Sequence, residues 1–397
     1  MLGLVLPGGG ARGAFQVGVL KAIAEILPRR CCNPFPIISG TSAGAINATV
    51  LASNARRFRR GVAELDYVWS NFHSADVYRS DGWTMFRSSM HWMAALVTGG
   101  NFIGAPRSLL DNAPLRELLR RSIRFPRIQQ NIDSGFLDAL AITAASYGSA
   151  RSATFFQGRE DLKPWSRTRR IGVREQISLD HLMASAAVPI IFPPVSINGE
   201  FFGDGAMRQA TPLSPAVHLG ADRILVISLR DESGDAERQI REPAGEPSLA
   251  QIAGYMLDTL FMDGLYADLE RITRVNLLVD AVPEEHRVGP LEKLRPIDTM
   301  VVVPSKDLRD IAVAYKEELS FHVRMLLRGV AGRRAGEQRL LSFLLFEQKY
   351  TRELIQLGYR DAMAIRDDLL GFVTGAPASR LFAPDWVRND LLSLDGG

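Results

Sequence analysis

The fold is decided by two glycine-containing turns near the N-terminus, within residues 2–13 (LGLVLPGGGARG) and 37–53 (IISGTSAGAINATVLAS). Each stretch starts with a short apolar run, passes through glycines and continues into a segment with helix-forming residues. A short apolar run bounded by turn residues is typical of a buried strand. Strands that alternate with helices favour a parallel sheet with crossover helices. We therefore predict an α/β fold with a mainly parallel central sheet.

The rest of the chain divides into a sheet-forming part and a helical part. Polar and apolar residues are mixed at helical spacing from about residue 56 to 135, which predicts a helical insertion. Further strands are predicted over 138–145, 153–157, 195–202 (a hairpin centred on Asn198-Gly199), 223–229 and 299–303. We predict an α/β domain over residues 1–304 and a helical C-terminal extension over residues 305–397.

Composition restricts the class of protein. The 397 residues have a formal net charge of +3, a hydrophobic content of 46% and a mean hydropathy near zero, which are ordinary values for a soluble globular protein. No uninterrupted apolar stretch approaches 18 residues, and no basic region precedes the apolar N-terminus, so neither a membrane span nor a signal peptide is predicted. Basic residues form no tail and accompany no finger motif, so nucleic acid is not an expected partner.

Cysteine and histidine usage points to a reducing compartment and to a site without metal. Cys31 and Cys32 are the only cysteines, and adjacent cysteines rarely meet the geometry of a disulfide, so a cytoplasmic location is expected. The six histidines lie far apart in the chain and form no metal-binding spacing. We predict no metal and no other cofactor.

The first glycine turn lies directly between a predicted strand and a predicted helix. Backbone N–H groups at such a helix N-terminus can point at an anion, either a phosphate or a transition-state oxyanion. The glycines also satisfy the dinucleotide pattern G-x-G-x-x-G, but no acidic residue ends the second strand to hold a ribose. An anion-binding loop is favoured over a dinucleotide site and over a turn without function. Its residues are Gly8, Gly9, Gly10, Ala11, Arg12 and Gly13.

The second turn has the sequence G-x-S-x-G, with Ser42 between Gly40 and Gly44. Its position between a strand and a helix is the setting of a nucleophile elbow, in which the serine occupies a strained turn flanked by small residues. We predict Ser42 as a catalytic nucleophile. A serine hydroxyl of this kind needs a neighbouring base.

Two kinds of base are available to Ser42. A histidine late in the chain, His286 or His322, would suit an α/β-hydrolase, but neither lies in a short strand-to-helix turn. Asp204 lies between Gly203 and Gly205, directly after the predicted hairpin, where a carboxylate can stand free at a strand end. An isolated Asp-Gly is also typical of a simple turn. Asp204 is the favoured base.

Three motifs in this order resemble the patatin-like phospholipase family. That family has a G-G-G-x-R-G oxyanion loop, a G-x-S-x-G serine and a D-G-[GA] aspartate, which correspond here to residues 8–13, 40–44 and 204–206. Residues 184–194 and 211–213 also resemble the family sequence around that aspartate. The resemblance covers roughly residues 1–230. It implies a three-layer α/β/α fold, a Ser42–Asp204 dyad, and an oxyanion hole formed by the loop.

The resemblance further implies a serine acyl hydrolase of the phospholipase A or lysophospholipase type, which cleaves fatty-acyl esters without a cofactor. Two alternatives use the same residues: a lipase for neutral lipids and an acyltransferase. A regulatory or membrane-scaffolding protein with an incidental serine is the non-enzymatic alternative. Nothing in the residues determines the oligomeric state.

A lipid substrate implies reversible contact with a membrane, at its inner face for a cytoplasmic protein. The segment from Pro114 to Ile123 places leucines on one helical face and arginines beside them, which is the pattern of an interfacial helix. The alternative is that the leucines pack on the sheet and the arginines are solvated.

Overall fold

The computed structural model describes residues 1–79, 108–209, 211–229, 264–287, 289, 294–321, 323–325, 335–376, 379–385 and 387–388. Within these residues eleven strands form one sheet. Their bounds are β1 (Leu2–Leu6), β2 (Ile37–Thr41), β3 (Ala139–Ser146), β4 (Ser152–Gly158), β5 (Trp165–Arg167), β6 (Arg170–Arg174), β7 (Val195–Ile197), β8 (Glu200–Asp204), β9 (Arg223–Ile227), β10 (Asp298–Val302) and β11 (Leu381–Phe382).

The strand order is β11-β10-β9-β1-β2-β3-β4-β6-β5, and β8 pairs with both β3 and β7. The run from β11 to β3 is parallel throughout, while β4 and β8 pair antiparallel with β3. The prediction of an α/β fold with a mainly parallel central sheet is therefore confirmed. The sequence pattern did not predict the short strands β5, β6 and β11.

Helices cover both faces of the sheet. The described helices are α1 (Ala14–Ile26), α2 (Ala43–Ser53), α3 (Phe58–Ser70), α4 (Ser74–Val77), α5 (Ala113–Ser122), α6 (Pro126–Asp133), α7 (Leu179–Ser185), α8 (Ser214–His218), α9 (Gly264–Ala281), α10 (Leu308–Ala314), α11 (Ala335–Leu344), α12 (Gln348–Ala364) and α13 (Arg366–Thr374). Side chains alternate across each strand, so Leu4 of β1 joins the larger apolar core and Val5 the smaller one. This arrangement gives three layers.

Helices α3 to α6 occupy the described part of the insertion predicted over 56–135, and residues 80–107 lie outside the described residues. The C-terminal helices pack onto the α/β core and contribute Leu354 and Phe372 to it. Residues Leu381–Phe382 extend the sheet beside β10. A domain boundary at residue 304 stays a prediction.

Two glycines allow α12 to lie against α1. A Cβ added to Gly18 would come within 2.1 Å of the Ile355 carbonyl oxygen, and one added to Gly358 within 2.2 Å of the Phe15 carbonyl oxygen. Such distances leave no room for a methyl group between the two backbones. Helix α12 therefore packs closely against α1, backbone to backbone, at Gly18 and Gly358.

We expect Gly358→Ala to lower the free energy of unfolding by roughly 1–3 kcal/mol, because the added methyl group must push two helix backbones apart. The matched control is Gly371→Ala in α13, where the nearest atom to the added Cβ is at 3.6 Å. Alanine is favoured over glycine in a helix, so this control is expected to gain about 0.5–1 kcal/mol. Urea denaturation measures both values, and equal changes would contradict the close approach.

Candidate active site

Ser42 occupies a sharp turn between β2 and α2. Its backbone has φ 54° and ψ −125°, a conformation that non-glycine residues rarely adopt. Small neighbours make the turn feasible, because a Cβ on Gly44 would lie 2.0 Å from the Leu6 carbonyl oxygen and one on Gly40 would lie 2.4 Å from that of Gly44. Ser42 is 3% exposed. The structure thus gives Ser42 the strained strand–turn–helix setting predicted for it.

The glycine loop follows β1 and lies beside this turn. Gly10 has φ 55°, and a Cβ there would meet the Phe343 carbonyl oxygen at 2.3 Å, so only glycine fits. A Cβ on Gly13 would lie 3.1 Å from that of Ala43, which directly follows Ser42. Gly8, Gly9 and Ala11 are buried in the same loop. Gly10 and Ser42 face one cavity.

Arg12 braces the glycine loop from inside the protein. It is 2% exposed, and its Nε and Nη2 donate to Ser342 Oγ at 3.0 and 2.6 Å. Its guanidinium lies 3.9 Å from the centre of the Phe343 ring. The backbone N–H of Arg12 donates to Gly9 O at 3.1 Å and is thereby engaged within the loop.

A buried polar network fixes the same loop from α1, α2 and α3. Asn47 Nδ2 donates to Gly13 O at 3.2 Å and to Gln16 Oε1 at 2.9 Å, while Trp69 Nε1 donates to Asn47 Oδ1 at 2.9 Å. Gln16 Nε2 in turn donates to Pro7 O at 2.9 Å. Sequence reasoning missed these residues. The available signal was a polar side chain within the otherwise apolar runs of α1 and α2, which must find partners when buried.

Strand β3 brings Asp204 close to Ser42. One edge of β3 pairs with β4, so β2 and β8 share the other edge. On that edge Thr41 of β2 pairs with Thr143, and Asp204 of β8 pairs with the next residue, Ala144. Because Ser42 directly follows Thr41, the register places the two predicted dyad residues next to each other.

The Asp204 carboxyl group is fully buried. Its Oδ1 accepts a hydrogen bond from Ala206 N–H at 2.9 Å, and its Oδ2 has no hydrogen-bond partner among the described residues. Burial raises the pKa of Asp204 to about 7, although the Ala206 N–H and the Ser42 hydroxyl both act to lower it. Asp204 is thus a carboxyl group that changes charge near neutral pH.

An apolar cavity of about 480 Å³ opens from Ser42. Helices α3, α5 and α11 supply most of its wall, with side chains such as Val68, Leu118 and Phe343. Asp204 does not line it. Such a cavity accommodates a hydrocarbon chain and has few polar groups to bind anything else.

The leucine face of α5 is turned into the protein. Leu115 and Leu119 are 4% and 3% exposed and line the cavity. On the other face, Arg116 pairs with Asp180 at 2.7 Å, and Arg120 pairs with Glu117 at 2.8 Å. The leucines are therefore not available to a membrane in this conformation. They border an acyl-sized cavity, which the sequence pattern did not predict.

None of the described histidines lines this cavity. His181 is buried in α7 beside Glu175 and Ser178, and His286 is exposed in a short 3-10 helix. His322 lies outside the described residues. Among the described residues, no cluster of three potential metal ligands is found, and no helix has the length and apolar character needed to cross a membrane.

A family model described as Patatin-like phospholipase matches residues 4–217, which contain all three motifs. The chain belongs to the patatin-like phospholipase family. Lysophospholipase nte1 of Aspergillus terreus is 52% identical over 54 residues, and patatin-like phospholipase domain-containing protein 7 of Rattus norvegicus is 51% identical over 51 residues. These alignments cover 14% and 13% of this chain and 3% of each relative, so the chain matches only a small part of their length.

Two solved structures are distant from this patatin-like chain. VipD from Legionella pneumophila is 13% identical with a TM-score of 0.34, over 92% of this chain and 66% of that chain. Human GIVD cytosolic phospholipase A2, in complex with methyl gamma-linolenyl fluorophosphonate, is 13% identical with a TM-score of 0.32, over 92% and 60%. Membership of the family supports lipid acyl hydrolysis in general.

Proposed function

We propose that this protein hydrolyses fatty-acyl esters of phospholipids or lysophospholipids through Ser42 and Asp204. The observation that carries the proposal is the register of β3, which sets the buried Asp204 beside a strained Ser42 at the wall of an apolar cavity. A nucleophile, a base and an acyl-sized cavity thus occur together. Family membership supports the same class of chemistry.

In the first half of the reaction, Asp204 takes the proton of the Ser42 hydroxyl as Oγ attacks the ester carbonyl carbon. N–H groups of the glycine loop stabilise the resulting oxyanion, and each donor contributes about 3–4 kcal/mol in comparable sites. The C–O bond to the alcohol then breaks, and the alcohol leaves with the proton held by Asp204. Ser42 is left as an acyl ester.

In the second half, Asp204 removes a proton from a water molecule that attacks the acyl ester. The Ser42–acyl bond breaks, Ser42 regains a proton from Asp204, and the fatty acid leaves. One carboxyl group with a pKa near neutral pH can serve as base and acid in turn. An insoluble lipid substrate also requires that the protein bind a lipid surface reversibly.

A substrate panel tests the proposed function. Purified protein would be incubated with a diacyl phospholipid, a lysophospholipid, a triacylglycerol and a short soluble ester, with Ser42→Ala as the control. The proposal is supported if the unmodified protein releases fatty acid from the phospholipid or the lysophospholipid and Ser42→Ala does not. Release from the triacylglycerol alone would favour a neutral-lipid lipase, and no release from any ester would contradict hydrolysis.

We expect Leu118→Trp to shorten the usable cavity, because Leu118 contributes to its wall. The ratio of kcat/KM for a palmitoyl ester to that for a butyryl ester should fall at least about 10-fold. Arg120→Trp on the exposed face of the same helix is the matched control and should leave the ratio within about twofold. An unchanged ratio in Leu118→Trp would show that the acyl chain binds elsewhere.

A further inference from the structure

The end of α7 contacts the backbones of both dyad residues. Ser185 Oγ accepts a hydrogen bond from Ser42 N–H at 2.9 Å and donates one to Thr143 O at 2.6 Å. Two residues further on, Ala187 O accepts a hydrogen bond from Asp204 N–H at 2.8 Å. Ser185 is 143 residues from Ser42 in the sequence. The segment 185–187 therefore contacts the backbones of both the proposed nucleophile and the proposed base.

The Ser185 hydroxyl binds the backbone N–H of Ser42, the residue of the elbow that has a positive φ. Ser42 precedes the first residue of α2, so its N–H has no acceptor inside that helix. Its positive φ is a strained conformation that persists only where the surroundings enforce it. Ser185 is fully buried, so no water competes for its hydroxyl. One side chain therefore satisfies the N–H of the strained residue and ties it to β3.

Thr143, whose carbonyl oxygen accepts the hydrogen bond from the Ser185 hydroxyl, lies in β3. The residue pairs with Thr41 in the sheet, and its neighbour Ala144 pairs with Asp204. The hydroxyl of Ser185 therefore connects the nucleophile to the strand that also positions the base. Ser185 does not line the cavity, whereas the next residue, Ala186, does.

We propose that Ser185 is a positioning residue, which holds Ser42 in register with Asp204 through the Ser42 N–H···Oγ and Oγ–H···Thr143 O hydrogen bonds. The inference rests on the proposed Ser42–Asp204 dyad. It gives a physical role to the segment 184–187, whose sequence resembles that of the patatin-like family. Ser185 acts through Ser42 and touches no substrate.

The test is a double-mutant cycle on the rate of labelling by a fluorophosphonate, in which Ser42 Oγ bonds to phosphorus and fluoride leaves. Ser185→Ala should slow labelling roughly 10- to 100-fold, since a misplacement of about 1 Å has effects of this size. In an Asp204→Asn background the same change should slow it less than about threefold, because alignment with an absent base no longer matters. On a soluble ester, kcat should fall while KM stays within about twofold.

Ser53→Ala is the matched control, because Ser53 is also a buried serine whose hydroxyl donates to a backbone carbonyl, that of Val50 at 2.9 Å. Ser53 lies at the C-terminal end of α2, outside the elbow. It should label at the unmodified rate. If Ser185→Ala gives no folded protein, Ser185→Cys, whose thiol is a weak donor and acceptor, is expected to show the same loss.

Two results would overturn the role of Ser185 while leaving the dyad intact: labelling at the unmodified rate in Ser185→Ala, or an equal fold loss in both backgrounds. Labelling of Asp204→Asn at the unmodified rate would instead contradict the proposed function itself.

Discussion

Ser42→Ala is expected to lower kcat on a soluble acyl ester by roughly 10⁶-fold, the size of effect seen when the nucleophile of a serine hydrolase is removed. The described side chains that line the cavity near the turn are mainly apolar and cannot replace Oγ as a nucleophile. Covalent labelling by a fluorophosphonate should disappear as well. Ser53→Ala, at the C-terminal end of the helix α2 that follows Ser42, should keep both activities.

The fold should survive the loss of the Ser42 hydroxyl. Alanine is subject to the same backbone strain at φ 54° as serine, whereas glycine is not. We therefore expect Ser42→Gly to be about 1 kcal/mol more stable than Ser42→Ala in urea denaturation, with both inactive. Substantial activity in folded Ser42→Ala would show that another residue attacks the ester.

Asp204→Asn is expected to lower kcat by about 10²–10⁴-fold, the range over which general-base catalysis contributes. The amide oxygen can still accept the hydrogen bond from Ala206 N–H, so the variant removes the proton acceptor with little change in shape. His286→Ala should keep most of the activity, since His286 is exposed and lies outside the cavity. A histidine variant as impaired as Asp204→Asn would indicate a Ser-His-Asp hydrolase.

The stability of Asp204→Asn should differ from that of the unmodified protein in a pH-dependent way. The pKa of Asp204 is raised from 3.8 to about 7 by folding, so the folded state binds the proton more tightly than the unfolded state. This group therefore contributes stability below pH 4 that is lost as the pH rises through 7. Between pH 5 and pH 8 the loss amounts to about 2–3 kcal/mol.

Asparagine does not titrate, so this pH-dependent loss should be absent from the variant. Tyr147, whose pKa is raised by burial and by the charge of Asp204, titrates too high to interfere. Asp161→Asn, at an exposed side chain, is the control and should retain the pH dependence of the unmodified protein. Parallel stability curves for Asp204→Asn and the unmodified protein would contradict a buried, titrating carboxyl group.

The elements that could be predicted from the sequence are those whose structure is determined by their own residues. Strands β1 and β2 and the Ser42 turn could be predicted because apolar runs, glycines and small helix residues follow one another directly. The hairpin of β7 and β8 could be predicted from Asn198-Gly199, and Asn198 indeed has a positive φ. Strands β5 and β6 were missed because they are short and mostly exposed or half-buried, so their residues show no apolar run.

Features that depend on distant residues could not be predicted from the pattern. The partner of Ser42 N–H is 143 residues away, and the partner of Arg12 is 330 residues away in the C-terminal helices. The leucine face of α5 has the same periodicity whether it packs on a sheet, contacts a membrane or borders a cavity. Only the tertiary structure distinguishes these three arrangements.

Activation of Ser42 by Asp204 is tested by the pH dependence of Ser42 labelling by a fluorophosphonate, with the modified residue located by mass spectrometry. We expect an adduct on Ser42 whose rate of formation rises with pH through about 7 and then levels off, as the carboxylate forms. Asp204→Asn should abolish this rise and slow labelling at least about 100-fold. An adduct on another residue, or unchanged labelling of Ser42 in Asp204→Asn, would contradict activation of Ser42 by Asp204.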